Sequence, residues 1–215
     1  MELDEHEQGE AVRKWLRQNG SSLITGIAMG LALVFAWQWW QGKGVRHQEE
    51  AATQYQAFVD AIDAKDAGKA KAFAALLADK YADTPYSNLA VLRNAAFLNA
   101  SGKTDEAVKL LQAGQSKVKD PELAELFSLR LARVLLIAGK PGDALKQVNT
   151  IAKPRFPAIA NELRGDIAVA QGNRDEARKA YQMALTTLDQ AAPTRNLLEL
   201  KLIDAGGQPP AKPET

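Results

Sequence analysis

The chain contains no cysteine and only two histidines among its 215 residues. Without cysteine it can form neither disulfides nor thiolate metal sites, and it has no thiol nucleophile. No sign of charge dominates either, because 27 basic residues stand against 26 acidic ones and the formal net charge is +1. A protein with so little net charge has no long-range field that favours nucleic acid or an acidic substrate as its partner.

The common catalytic motifs are absent as well. The sequence has no glycine-rich phosphate loop, no GxSxG elbow and no HExxH metal pair. The two histidines, His6 and His47, flank the membrane span described next, so they cannot form one site in a monomer. We therefore expect no enzymatic activity, no cofactor, no metal site and no small-molecule substrate. A membrane-tethered enzyme is a third hypothesis behind two binding functions, and it would need a polar cluster that the sequence does not indicate.

The longest uncharged run covers residues 21–40 and reads SSLITGIAMGLALVFAWQWW. At about 1.5 Å rise per residue this run is about 30 Å long, the thickness of a hydrocarbon core, so it predicts a transmembrane helix. The alternative is a cleaved signal peptide, whose apolar part is shorter and ends in small residues. This run ends instead in Trp37, Trp39 and Trp40, with Trp15 near its other end, and indoles favour the membrane interface.

Basic residues near the ends of the span indicate its orientation. Three lie on the N-terminal side and two on the C-terminal side, namely Arg13, Lys14, Arg17, Lys43 and Arg46. This bias, together with the short segment ahead of the span, favours a cytoplasmic segment over residues 1–20 and a domain on the outer side of the membrane. We expect a juxtamembrane linker over residues 41–48.

One face of the span carries small residues at four-residue spacing, Ser22, Gly26 and Gly30. Such a face lets a second helix approach closely and is a candidate for helix packing in the membrane, although small residues also occur in spans without a partner. The stretch ahead of the span has two interpretations. It lies along the inner membrane surface, with a break at Asn19-Gly20, or it forms the first turns of the same helix.

After the span, a short pattern recurs at spacings of 37 and 33 residues. Each copy has a glycine between two apolar helical patterns and an alanine five residues later, in the pairs Gly102 and Ala107, Gly139 and Ala144, and Gly172 and Ala177. This spacing is typical of tetratricopeptide repeats, in which small residues let the two helices of a hairpin approach closely. The third copy matches best, because Gly165, Tyr181 and Ala184 also stand at consensus positions.

Patterns on either side complete the repeat array. Apolar residues at three- and four-residue steps predict one more hairpin over residues 55–81, which lacks the turn glycine. A leucine-rich stretch from Leu197 to Ile203 predicts a helix that caps the array. The fold class is therefore all-α, a single N-terminal transmembrane helix followed by a tetratricopeptide-like solenoid over residues 49–205. The proline-rich tail over residues 206–215 has too little apolar content to fold.

A superhelix of hairpins presents a concave face, which can bind a peptide or a loop of a partner protein. From the repeat spacing, we expect Asn99, Arg133 and Asp166 to occupy equivalent positions in this groove, with Leu129, Leu136 and Ile137 near the middle one. The alternative is that Arg133 and Asp166 pair with each other across neighbouring repeats.

The chain resembles the bacterial YfgM proteins, ancillary subunits of the Sec translocon with a tetratricopeptide-like domain. The most telling part is the run GEAVRKWLRQNG at residues 9–20, which leads directly into the glycine-rich span and its tryptophan-rich exit. The segments LRLARV at residues 129–134 and LRG at residues 163–165 also look like the family's repeats. The proline-rich tail departs from the family.

The resemblance implies an inner-membrane protein whose domain lies in the periplasm. Its implied partners are subunits of the Sec translocon, a membrane-anchored periplasmic chaperone and translocating client chains, so that it assists protein export and periplasmic folding. The alternative function is an envelope scaffold that organises a cell-wall or division complex through the same groove. Composition and spacing alone do not distinguish these two functions.

Overall fold

The computed structural model describes residues 2–209, except for the side chains of residues 2–8, 10–12, 41 and 42. Within this range the protein consists of helices and turns, without strands. The helices are α1 (Glu2–Asp63), α2 (Ala67–Lys80), α3 (Pro85–Ala100), α4 (Thr104–Gln115), α5 (Pro121–Ile137), α6 (Pro141–Asn149), α7 (Pro157–Ala170), α8 (Arg174–Thr187) and α9 (Arg195–Asp204). One compact unit ends at Glu50 and a second begins at Ala51. The all-α prediction is confirmed.

In the first unit, α1 is continuous and contains the predicted span. By length and composition it is long and apolar enough to cross a membrane, with a mean hydropathy of 1.7 in its most apolar window. The helix continues through Asn19-Gly20 without a break, and the side chain of Asn19 donates to the carbonyl oxygen of Trp15 one turn back, at 3.1 Å. Residues 41–48 are helical too, and the predicted linker is not a separate element. No proline interrupts the hydrogen-bond ladder there.

The two ends of the span carry exposed indoles. Trp15 and Trp37 are separated by a helical rise of about 33 Å, close to the thickness of a hydrocarbon core. Beyond Trp37, the ammonium of Lys43 lies 3.8 Å from the ring centroid of Trp39, a cation–π contact that joins an amphipathic ring to a charge. Inside the span, the Thr25 hydroxyl donates to the carbonyl oxygen of Ser21 at 2.8 Å. This hydroxyl therefore has a partner within its own helix.

In the second unit, local signals set where the helices begin. Helices α3, α5, α6 and α7 each have proline in the first turn, where a missing N–H is harmless. The side chains of Asp66, Asp120 and Asn173 accept hydrogen bonds from backbone N–H groups at the starts of α2, α5 and α8. Such caps satisfy donors that a helix cannot satisfy itself.

The hairpins close with one recurring turn. Gly102, Gly139 and Gly172 have φ of 77°, 71° and 77°, and Lys65 adopts the same left-handed conformation with φ 57°. After each of these residues the chain donates back to a carbonyl five residues earlier, as from Lys103 to Leu98 at 2.9 Å. This is the Schellman arrangement. The predicted first hairpin is therefore confirmed, with lysine in the position of the turn glycine.

The turns put the four hairpins in register, and the spacings between their left-handed residues are 37, 37 and 33. Five residues after each turn lies a fully buried alanine, at Ala70, Ala107, Ala144 and Ala177. The positions seven before and nine after the turn vary reciprocally in size, in the pairs Phe58 and Ala74, Ala95 and Leu111, Ala132 and Val148, and Gly165 and Tyr181. A constant hairpin geometry is thus filled by different pairs of side chains.

The buried side chains form three clusters in the second unit. The first joins α1, α2 and the start of α3 around Phe58 and Leu77. The second runs from α3 to α7 around Phe127, and the third packs α8 and α9 around Tyr181. Between α6 and α7 the buried carboxylate of Glu125 accepts from the backbone N–H groups of Arg155 and Phe156, at 2.9 and 3.0 Å. This side chain holds the connection that precedes α7.

The C-terminal cap is also present, but its boundary differs from the prediction. Helix α9 buries Leu198 and Leu202. Gly206, with φ 86°, and Gly207, which donates to the carbonyl oxygen of Leu202 at 2.9 Å, close the helix with the same turn as the hairpins. These two glycines belong to the cap and not to the tail. Residues 210–215 lie outside the described part of the chain.

Candidate binding surfaces of the repeat domain

The turn register corrects the predicted equivalence of the groove residues. Arg133 and Asp166 each lie six residues before their turn glycine, and the corresponding residue of the second hairpin is Ala96. Asn99 lies three residues before Gly102, in register with Leu136 and Val169. The prediction was wrong because it applied a period near 34 to two repeats that are separated by 37 residues. The side chain of Asn99 accepts from Thr104 Oγ1 at 3.1 Å.

Asp166 belongs to a cluster that fastens α9 to α7. Lys201 Nζ donates to both carboxylate oxygens of Asp166, at 2.8 and 2.9 Å, and to Glu162 Oε1 at 2.6 Å. The Tyr181 hydroxyl donates to Asp166 Oδ1 at 2.8 Å. The predicted alternative, a pair between Arg133 and Asp166, is therefore wrong. Asp166 has partners in two other helices and contributes to the cohesion of the C-terminal end.

The two donors of this cluster, Tyr181 and Lys201, both have raised pKa values. Burial raises the pKa of Tyr181 far above its usual value, and the hydrogen bond to Asp166 raises it further, because a phenolate would lie beside carboxylates. Burial disfavours the charged form of Lys201, but its hydrogen bonds to Asp166 and Glu162 outweigh this effect and the pKa is raised. The donors therefore keep their protons, as a structural connection requires.

Arg133 lies half-buried on α5, and its side chain makes no ion pair or hydrogen bond within the described part of the chain. Arg130, one turn earlier, and Ile137, one turn later, are exposed on the same face. Leu129 is buried in the core and does not contribute to this face. Of the three predicted groove residues, Arg133 alone presents an unpaired charge.

A cleft that the sequence did not indicate opens between the first and second hairpins. It has a volume of about 1120 Å³ and lies between the turn ends of α1 and α2 on one side and of α3 and α4 on the other. Its lining includes Ile62, Phe97 and Leu98, together with Lys65 and Lys71. One signal could have revealed the turn beside this cleft. Lys65 precedes Ala70 by five residues, the same interval that separates glycine from alanine in the other hairpins.

The outer side of α9 is a second apolar surface. Leu197, Leu200 and Ile203 are exposed by 54%, 58% and 50%, although a terminal repeat usually has a polar outer face. In the first unit, Gly26 and Gly30 have no neighbouring atoms within 4 Å of an added Cβ, so this face of the span is open. Helix packing through Ser22, Gly26 and Gly30 stays a prediction.

No group of three or more His, Cys, Asp or Glu side chains in the described part of the chain could hold a metal ion. His47 is half-buried and has an interaction partner. The side chain of His6 lies outside the described residues. On the repeat domain, unpaired cations such as Arg133 and Lys65 lie beside apolar side chains.

The comparison with protein families agrees with this architecture. The model of the tetratricopeptide repeat-like domain family matches residues 13–207. It therefore covers the predicted span as well as the hairpins. No solved structure matches the chain.

Several curated proteins are similar to this chain over almost their whole length. The ancillary SecYEG translocon subunit of Escherichia coli is 28% identical over 202 residues, which cover 93% of this chain and 95% of that protein. The proteins of the same name from Haemophilus influenzae and Neisseria gonorrhoeae are 24% and 25% identical over 182 and 201 residues. These cover 85% and 93% of this chain, and 89% and 96% of the two relatives. The matches confirm the resemblance inferred from the N-terminal run and the repeats.

Proposed function

Since this chain belongs to the tetratricopeptide repeat-like family, we propose that it is a membrane-anchored accessory subunit of the Sec translocon. One observation carries the proposal. Its relatives are named ancillary SecYEG translocon subunits, and the similarity extends over nearly the full length of both chains. A repeat domain shared by chance with an unrelated protein would not include the N-terminal anchor in the match.

In this proposal the span anchors the protein in the inner membrane, with the N-terminus in the cytoplasm and the repeat domain in the periplasm. The uncharged run and its flanking indoles support the anchor, and the excess of basic residues ahead of the span supports the orientation. The face formed by Ser22, Gly26 and Gly30 packs against a transmembrane helix of a translocon subunit. The small residues allow close approach without large side chains in between.

The repeat domain binds a periplasmic chaperone, translocating client chains or both, and thereby assists folding after export. The unpaired Arg133, with Arg130 and Ile137 on the same face of α5, supports a binding role for the groove. No catalytic group is needed, because bringing a chaperone close to the exit of a channel raises its effective concentration there.

Photo-crosslinking in native membranes tests the proposal. A photoreactive residue replaces Gly26 on the small face of the span or Arg133 in the groove, and the partners are identified by mass spectrometry. A probe at Ile24, on the opposite side of the helix, is the matched control for Gly26. We expect translocon subunits from Gly26, few from Ile24, and a chaperone or client chains from Arg133. Cell-wall or division proteins at both probes would instead support the envelope scaffold.

The orientation has its own test, which the absence of cysteine makes simple. Single cysteines replace the exposed Gly9 before the span or the exposed Lys117 in the repeat domain. In spheroplasts, a membrane-impermeant maleimide should label the Lys117→Cys protein at once. The Gly9→Cys protein should be labelled only after permeabilisation. The reverse pattern would place the repeat domain in the cytoplasm and contradict the proposed role.

A further inference from the structure

We propose that the cleft between the first and second hairpins binds a partner polypeptide segment that combines apolar side chains with carboxylates. The inference rests on the proposed function and deepens it, because it names one surface and the chemistry that the surface recognises. The cleft lies apart from the α5 face that carries Arg133. Peptide binding at the cleft and copurification with translocon subunits are separate measurements, so a negative result in one does not decide the other.

The cleft has an apolar floor at the place where the core cluster of the first hairpin ends and that of the following hairpins begins. The helix α3 contributes Ala90 to the first core cluster and Ala95 to the second, and the two clusters do not merge. Phe97 is half-buried, lines the cleft and belongs to none of the clusters of the described chain. Ile62 and Leu98 flank it. An inserted apolar side chain would therefore contact a surface that the domain itself leaves partly uncovered.

The charges around the cleft favour an acidic occupant. Both carboxylates of the lining have cations nearby. Asp63 accepts from Arg93 at 2.9 Å, and Glu106 lies 3.9 Å from Lys103. Lys65 and Lys71 are exposed, and neither forms an ion pair within the described part of the chain. Two unpaired ammonium groups thus stand at the rim, and carboxylates of an occupant complement them.

The backbone at Lys65 supports a binding role for this side chain. The other three hairpins have glycine at this turn position, where a left-handed conformation carries no steric cost. Lysine in the same conformation is strained, so hairpin stability does not account for the residue. Its side chain does line the cleft. The strained position therefore places a cation where an acidic occupant would need one.

The polar lining favours a polypeptide over an anionic lipid. Asn94 is half-buried in the cleft, and its side chain makes no hydrogen bond within the described residues. An amide offers both a donor and an acceptor, which matches the N–H and C=O groups of a peptide bond. A fatty acid has only acceptors at one end and nothing to satisfy an amide beside its chain.

Fluorescence anisotropy with the full-length protein in nanodiscs tests the proposal. The probe is a short fluorescein-labelled peptide with leucines at helical spacing and glutamates between them. A matched peptide has lysine in place of each glutamate, and a fluorescent fatty acid represents the lipid. We expect the acidic peptide to bind more tightly than its lysine counterpart, with an affinity that falls as salt is added.

The decisive variant is the double substitution Lys65→Gly and Lys71→Gln, because Lys65→Gly removes strain as well as charge. We expect about fivefold weaker binding of the acidic peptide, the sum of two exposed ion pairs, in a domain that is no less stable than the parent. Phe97→Ala should weaken binding about tenfold through the lost apolar contact. The matched control is Lys117→Gln with Lys119→Gln, exposed lysines outside the cleft, which should leave binding unchanged.

Three results would overturn the inference. The first is equal affinity for the acidic and the basic peptide. The second is an affinity that neither the double substitution nor Phe97→Ala changes. The third is a fatty acid that binds and is displaced by no peptide, which would identify a lipid site. Copurification with translocon subunits is measured on the same variants. If a variant that no longer binds the peptide still copurifies with translocon subunits, peptide binding at the cleft is independent of association with the translocon.

Discussion

The first and fourth hairpins close with the same turn, but the large side chain of the packed pair lies on the first helix in one and on the second helix in the other. The first hairpin has the large Phe58 on its first helix, α1, a strained lysine in the turn and an open cleft towards the next hairpin. The fourth has Gly165 at the position of Phe58, an unstrained glycine turn and a network of charges that joins it to α9. One end of the array is open for binding, and the other is fastened.

This difference shows that the repeat fixes the geometry of each hairpin but not the sizes of the side chains that fill it. At Gly165, an added Cβ would overlap Cε1 of the Tyr181 ring. Phe58 occupies the same register position in the first hairpin because the opposite residue there is Ala74. The summed volume of each pair is conserved more closely than either residue, as close packing requires.

The largest expected effect breaks the packing of the fourth hairpin. Gly165→Ala should destabilise the repeat domain by about 2–3 kcal/mol, because the methyl group overlaps the Tyr181 ring. Urea unfolding of the detergent-solubilised protein, followed by circular dichroism, measures the change. Adding Tyr181→Leu recreates the Ala95 and Leu111 pair of the second hairpin and should recover part of the loss. A double variant that is no more stable than Gly165→Ala would contradict the size rule.

The next effect concerns the charges that fasten α9. Lys201→Met should lower the free energy of unfolding by about 1–2 kcal/mol. Asp166 and Glu162 lose a shared donor in this variant while both are largely screened from water. The matched change at the open end is Arg93→Met, whose exposed partner Asp63 returns to water. Arg93→Met should lower the free energy of unfolding by no more than about 0.5 kcal/mol. Similar losses in urea unfolding for both variants would mean that the two ends do not differ in this respect.

Alkaline pH should weaken the fastened end selectively. The pKa of Tyr181 and that of Lys201 are both raised in the folded protein, so above about pH 10 the unfolded chain releases these protons first. Stability from both groups is complete below that pH and falls as pH rises, by up to about 1.4 kcal/mol per unit for each proton. Tyr181→Phe should flatten the fall measured by unfolding at successive pH values. An unchanged slope would contradict the raised pKa of Tyr181.

The smallest effect distinguishes the two turns. Lys65→Gly should stabilise the domain by about 0.5–1 kcal/mol, because relief of the left-handed strain exceeds the entropy that glycine adds to the unfolded chain. Gly172→Ala at the matching turn should destabilise it by a similar amount. Thermal unfolding of both variants in the same detergent gives the comparison. Destabilisation by Lys65→Gly would show that this lysine holds the first hairpin together through its side chain.

Much of the fold followed from the sequence, because its signals are local. The uncharged run, the prolines at helix starts and the glycines of three turns each act within a few residues of the chain. The first hairpin was also predicted from apolar spacing, even though its turn residue is Lys65. Glycine is the usual residue in a left-handed turn, so lysine does not mark the turn by its type, and only the five-residue interval to Ala70 indicates it.

The candidate site was less accessible to sequence reasoning. Asn99 was aligned with Arg133 and Asp166 on a mean period, but helix α5 has 17 residues where α7 has 14, and the true equivalent is Ala96. The partner of Asp166 was misjudged because Lys201 lies 35 residues away, in the capping helix α9. The cleft arises between two hairpins and has no sequence pattern of its own.

The sequence by itself determined a helical membrane span, the helices that follow it and the places where hairpins turn. These properties depend on hydrophobic periodicity and backbone preferences over one or two helical turns. Only the tertiary structure decided which charges are paired, which end of the array is open and why Lys65 occupies a strained turn. Those properties depend on distances between helices, and a few residues more or less in one helix, as in α5 against α7, change which side chains meet without changing the local pattern.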